Sequence, residues 1–215
     1  MRRGMSVFAM ALTATAISAL ASAPVSAGSE GPDGVTVEIV TVNGSGCPKG
    51  TVAVAVSEDD TAFTVTYSDY LARTGGTSDP TDFRKNCQIN LIVHVPQGFT
   101  YGIAAADYRG FASLQSGANG VEKANYYFQG DPTTTAISHQ VKGPHGDNWQ
   151  FRDEVPFGQI VYKKCGEHRN FNVNTEIRVN LGSSDPSKVS FMTMDSVDGS
   201  LKTVYHFAWK VCPRK

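Results

Sequence analysis

Charge of one sign is missing from this 215-residue sequence. Its 19 Lys and Arg face 20 Asp and Glu, a formal net charge of −1. Without a basic excess there is no electrostatic footprint for nucleic acid, and without an acidic excess no solvating tail. Beyond the first two dozen residues no apolar run is long enough to cross a bilayer. Close cysteine pairs of the C-x-x-C kind are absent, which argues against structural zinc. The G-x-S-x-G elbow, H-E-x-x-H, the P-loop and G-x-G-x-x-G are absent too. A triad can be assembled from distant positions, so these gaps disfavour an enzyme without excluding one, and nothing nominates a nucleophile. At 40% hydrophobic and 18% charged residues, the chain is too apolar for intrinsic disorder. No internal repeat and no convincing helical period is found.

What is present begins with an export signal. Arg2 and Arg3 precede an uncharged, Ala-rich run from Met5 to Ala21, and Val25-Ser26-Ala27 offers a small-residue cleavage pattern. Residues 1–27 therefore read as a signal peptide, with a cut after Ala23 as the alternative; the surroundings of Arg2-Arg3 fit twin-arginine export poorly. Cleavage after Ala27 leaves 188 residues with 17 basic against 20 acidic side chains, a balance of −3. Residues 28–34 read as a loose tail and 35–215 as one domain. The expected product is secreted, extracellular and free of the membrane once cleaved.

Four cysteines, Cys47, Cys87, Cys165 and Cys212, lie in the exported part. In that compartment an even number predicts two disulfides. Three pairings are open; Cys47–Cys87 with Cys165–Cys212 is expected, because each bridge then staples one half of the chain. Loops of that size are stabilised by about 4 kcal/mol each in the chain-entropy picture.

The dominant period is two. Val52, Val54 and Val56 alternate with Ala53 and Ala55, and Phe63, Val65 and Tyr67 with Thr64 and Thr66. Cys87, Ile89, Leu91, Val93 and Val95 oppose Asn86, Gln88, Asn90 and His94. Phe171, Val173, Thr175, Ile177, Val179 and Leu181 oppose Asn170, Asn172, Asn174, Glu176, Arg178 and Asn180. Leu201, Tyr205, Phe207, Trp209 and Val211 share a last face. Such alternation marks half-buried antiparallel strands. Turn signals stand at Ser57–Asp60, Pro96-Gln97-Gly98, Ser116–Gly120, Gly130-Asp131-Pro132, Lys142–Asp147, Gly182–Pro186 and Asp198-Gly199, with Arg73–Asp82 as the longest polar loop. About ten to twelve short strands predict an all-β, antiparallel two-sheet sandwich with jelly-roll-like connections.

Candidate site residues are few. Asp107 and Arg109, two apart on a strand, point the same way and can pair, either as a ligand clamp or as an ion pair closing a strand end. His139 and His145 flank a Gly-Pro loop; with Asp147 or Asp153 they could hold a metal, but two solvated loop histidines are the expectation, and no metal or cofactor is assigned. His94, His168 and His206 carry no pattern. Asp195 to Ser200, D-S-V-D-G-S, lacks EF-hand spacing. Trp209 falls on an apolar face and is expected in the core, whereas Trp149, beside a Gly-rich loop, is the candidate for an exposed sugar-stacking ring. Asn43-Gly44-Ser45 is a formal glycosylation sequon.

Several segments together resemble the secreted family called domain of unknown function 4360. They are Asn43-Gly44-Ser45-Gly46-Cys47-Pro48, Arg84-Lys85-Asn86-Cys87-Gln88, Pro96-Gln97-Gly98-Phe99, Asp107-Tyr108-Arg109-Gly110, Cys165-Gly166, Asn170 to Val179, and Trp209-Lys210-Val211-Cys212. Tyr162-Lys163-Lys164 stands where the family often has an aromatic-Ser-Pro run. The resemblance implies export, four paired cysteines and a β-rich fold, and no activity or site residue. The functional expectation is a non-catalytic extracellular or cell-envelope binding module, with polysaccharide or a cell-wall component as partner and Asp107, Arg109, Trp149, His139 and His145 as its candidate contacts. An extracellular hydrolase acting on a polymer is the rival, and a secreted toxin or inhibitor a third reading.

Overall fold

The computed structural model describes residues 31–131, 133–195 and 202–214. The expected leader (1–27), residues 28–30, Pro132, the Asp198-Gly199 turn and Leu201 lie outside the described residues. Two antiparallel sheets face each other. One orders β1 (Thr36–Asn43), β5 (Arg84–His94), β10 (Phe171–Asn180), β7 (Asn119–Phe128) and β8 (Thr135–Lys142). The other orders β2 (Val52–Val56), β3 (Ala62–Tyr67), β12 (Thr203–Val211), β6 (Phe99–Leu114), β11 (Ser190–Thr193) and β4 (Leu71–Thr74), with β9 (His145–Glu154) pairing along the second edge of β6. Among the described residues no helix is long and apolar enough to cross a membrane.

The alternation dictates the layers. Phe171, Val173, Thr175, Ile177 and Val179 of β10 are buried, and the residues between them are half-exposed. Cys87, Ile89, Leu91 and Val93 of β5 join them from one side, Ala124, Tyr126 and Phe128 of β7 from the other. Across the interface stand Phe63, Val65, Tyr101, Tyr108, Tyr205 and Phe207. Phe63 stacks on Tyr205 at 4.9 Å, and Tyr101 meets Phe207 edge-on at 5.6 Å. Each such side chain taken from water contributes roughly 1.5–3 kcal/mol.

Both bridges form as expected, Cys47–Cys87 and Cys165–Cys212. The first is sealed inside, with both cysteines at 0% exposure. The second, whose Cys165 is exposed, ties the segment before β10 to the end of β12.

Some local expectations are corrected. The turn expected over Lys142–Asp147 is confined to Gly143-Pro144, so His145 and Asp147 belong to β9 rather than to a loop. The loop expected from Arg73 starts later, because Leu71–Thr74 pairs with β11 as an edge strand too short to show a period. Gly31 and Gly34 donate to the β2–β3 turn, through the Asp59 carbonyl and the Asp60 carboxylate.

Candidate functional site

Strand periodicity puts one residue in two on the outer face of the five-stranded sheet, and there the sequence spends asparagine. In register across the sheet lie Asn43, Gln88, Asn174 and Asn125, one residue from each of four neighbouring strands. The adjacent row reads Thr41, Asn90, Asn172 and Tyr127. Neighbouring strands lie about 4.8 Å apart and same-face residues about 6.8 Å apart along a strand, so the amides form a two-dimensional lattice on the sheet face. Some are tied to each other: Asn90 donates to Asn172 at 2.7 Å, Asn170 to Asn90 at 2.5 Å, and Asn180 to Asn119 at 3.0 Å. Each amide has two donor hydrogens and an acceptor oxygen, so these bonds leave capacity facing outward.

A charged group borders the lattice. Arg84 and Arg178 donate to Glu176 at 2.7 and 2.6 Å. Partial burial pushes the Glu176 carboxyl up, but the two guanidinium hydrogen bonds outweigh it and hold the group below the usual glutamate value. A shallow depression of about 180 Å³ opens here, between Asn86, Gln88, Lys123, Asn125, Asn174 and Glu176.

A larger groove of about 650 Å³ adjoins the lattice at the ends of β5 and β10. It is lined by His94, Phe99, Lys163, Arg169 and Arg214 around the Cys165–Cys212 bridge. Asn170, which donates to Asn90, is shared between groove and lattice.

The polar interior is a separate feature. Tyr108 donates to the Tyr126 hydroxyl at 2.8 Å, and Tyr126 donates in turn to Asp153. His139 Nε2 donates to the same carboxylate at 2.5 Å, its ring stacked on Phe151 at 4.5 Å. Glu122, opposite His139 in the β7–β8 register, has no exposure, and among the described residues neither of its oxygens has a hydrogen-bond partner. Burial, with a smaller push from Asp153, raises its carboxyl well above the usual value. Glu122 and Asp153, at 0% and 2% exposure, are out of reach of a polymer.

A match to the family described as domain of unknown function (DUF4360) spans residues 33–212. The chain belongs to the DUF4360 family. A curated relative, described as an uncharacterized secreted protein of Arthroderma benhamiae, is 36% identical over 181 residues, which make up 84% of this chain and 73% of that protein. Among solved structures, the top component of cowpea mosaic virus, a naturally occurring empty particle, aligns with 83% of this chain and 90% of its own at 10% identity and a TM-score of 0.26. This DUF4360 chain is a β-sandwich with two disulfides, and those bridges and the likeness to a secreted protein point to an extracellular compartment.

The five residues singled out from the sequence of this DUF4360 protein do not converge. Asp107 is on the outer face of the other sheet, where its Oδ2 accepts from Arg152 and from His206, both at 2.7 Å. The expected Asp107–Arg109 pair is therefore replaced by cross-strand pairs: Arg152 stands opposite Asp107 in register, closer than a same-strand neighbour. Burial pushes the Asp107 carboxyl up, but His206 and Arg152 more than compensate, and it rests below the usual aspartate value. Arg109 keeps its Nε buried without a partner. Trp149, expected at the surface, is 5% exposed, and its Nε1 donates to the Thr193 carbonyl at 3.1 Å. The reason is Gly110, opposite Trp149 on β6: any Cβ there would overlap the indole and the Thr193 carbonyl. Trp209, expected in the core, is only half-buried. His139 is a paired strand residue rather than a solvated loop histidine, and His145 donates to the Asp147 carbonyl at 3.2 Å. Among the described residues no group of three His, Cys, Asp or Glu side chains is arranged to hold a metal.

Strand faces rich in Asn, Thr and Tyr, able to hydrogen-bond with and stack on a polysaccharide, are legible in the alternation; the register that lines the amides up across four strands is not. Asn is disfavoured in strands, and a purely structural outer face would favour Thr or Val. Repeated Asn on consecutive strands breaks a local rule with no packing gain.

Proposed function

We propose that this extracellular sandwich is a non-catalytic polysaccharide-binding module whose contact surface is the amide lattice of the five-stranded sheet. The observation that supports the reading is the concentration of Asn and Gln at outward positions of β5, β10 and β7, against strand propensity. Sugar hydroxyls both donate and accept, and so do primary amides, so a repeating lattice suits a repeating hydroxyl-bearing polymer. Half-buried Tyr127 borders the lattice as a ring on which a pyranose can rest. An array that runs across four strands favours an extended chain or the face of an insoluble polymer over a small ligand, which would call for a concave pocket. The test is sedimentation with chitin, cellulose, insoluble β-glucan and peptidoglycan. Retention by at least one of them, weakened by Asn172→Ala with Asn174→Ala, is the expected result; retention by none, together with no binding to a soluble acidic polysaccharide, overturns the reading.

A further inference from the structure

The groove beside the lattice has a chemistry of its own. Of the strongly basic side chains in residues 163–169 and 210–214, Lys163, Arg169 and Arg214 line the groove, where Glu167 is the one carboxylate among its lining residues. The chain as a whole is balanced, so this end is a local excess. The Cys165–Cys212 bridge holds the two segments side by side along the groove. Arg169 is engaged by Glu167 and by the Gln129 carbonyl. Lys163 is different. Its Nζ donates to the Glu167 carbonyl at 2.7 Å, and among the described residues no carboxylate lies within ion-pair distance of it. Partial burial pulls this ammonium below its usual value, with only a partial offset from Glu167. Arg214 is exposed at the rim. Apolar surface completes the site: Phe99 is 37% exposed, and Pro96 and Pro213 line the same groove.

A half-buried cation without a directly paired carboxylate gains from a ligand anion, because the ligand supplies the contact charge that the protein does not. An aromatic ring and prolines beside the cations match the C–H face of a sugar better than they match a bare inorganic anion. We infer that the groove binds the acidic groups of a polysaccharide, so that the ligand class is an acidic glycan that lies on the amide lattice and places a carboxylate or sulfate against Lys163 and Arg214. This rests on the lattice being a polysaccharide-binding face.

The experiment is affinity electrophoresis of the full secreted protein in gels containing polygalacturonate or its fully methyl-esterified form, which has the same backbone with its charge masked. A sulfated galactan in a parallel gel separates sulfate from carboxylate recognition. The expected result is retardation by at least one acidic polymer and not by the ester. Salt should weaken it, and Lys163→Gln and Arg214→Gln should each weaken it by about tenfold. Thermal melts of both variants show whether the fold is kept; Arg214→Gln, at an exposed position, reads out the groove even if Lys163→Gln misfolds. Equal retardation by acidic and esterified polymers, or acidic retardation that neither variant changes, overturns the groove inference and leaves the lattice reading in place. No retardation by any acidic polymer, with retention on a neutral insoluble polymer, likewise overturns the groove alone. Absence of binding to every acidic and neutral polymer overturns both.

Discussion

Glu122 places a carboxyl group inside the sandwich, where burial disfavours its charged form. Its folded pKa is raised above the ordinary 4.5, so its contribution is complete below about that pH and declines as pH rises toward the folded value. Within that window the slope from one proton is about 1.4 kcal/mol per pH unit. Glu122→Gln removes this titration, so the urea midpoint of the variant should fall less steeply than that of the parent as pH rises above the ordinary glutamate value. Parallel curves for the two proteins would show that the group does not stay protonated on folding. Asp107 and Glu176 have the opposite sign: both are held below their ordinary values by guanidinium or imidazole partners, so their contribution is present at neutral pH and disappears on acidification. A second residue-level prediction concerns Gly110. With the Trp149 ring and the Thr193 carbonyl where a Cβ would go, Gly110→Ala should destabilise the fold by about 1–3 kcal/mol of overpacking, read as a lower melting temperature.

The two bridges differ at the scale of elements. Cys47–Cys87 is sealed, whereas Cys165 is exposed beside Lys163 and Arg169, cations that favour an attacking or departing thiolate. Mild reductant followed by alkylation should add two alkyl groups, both on Cys165 and Cys212, before the first bridge is touched. Attachment at Cys47 or Cys87 under the same conditions would contradict the burial. The bridge closes a separation of 47 residues, so its loss should cost at most about 4 kcal/mol. How much was legible beforehand follows from the same elements. β3, β5, β10 and β12 declare themselves because each has one buried and one wet face, and period two is the signature of that arrangement. β4 did not, since four residues against a short partner make no period. β9 begins within two residues of β8, so its start was hidden inside a turn signal. The inner side of β7 was hidden for another reason: Glu122 and Tyr126 face inward beside polar groups of other strands, Tyr126 bonding Tyr108 and Asp153, and a cross-strand neighbourhood is not visible in the strand's own sequence. The five candidate site residues failed to converge because they were chosen for their chemistry alone. Facing direction, which strand parity fixes, places Asp107 on one outer face and Trp149 and Asp153 on the inner one.

At the scale of the whole molecule the sandwich presents two unlike outer faces. On the seven-stranded sheet, β2, β3 and β12 show Ala53, Ala55, Thr64 and Thr66, and charge gathers at Asp107, His206, Arg152 and Glu154. The five-stranded sheet shows the amide lattice, which leads into the basic groove. A rigid, disulfide-held scaffold loses little conformational freedom on binding, so a face of modest individual contacts can still retain a polymer. The most direct measurement is a map of backbone amide shifts on titration with a soluble oligosaccharide of whichever polymer retains the protein. Shifts concentrated at residues 86–90, 123–127 and 170–176 are the result expected of the lattice. Shifts concentrated around Asp107, Arg152 and His206 instead would put binding on the opposite sheet and contradict the account.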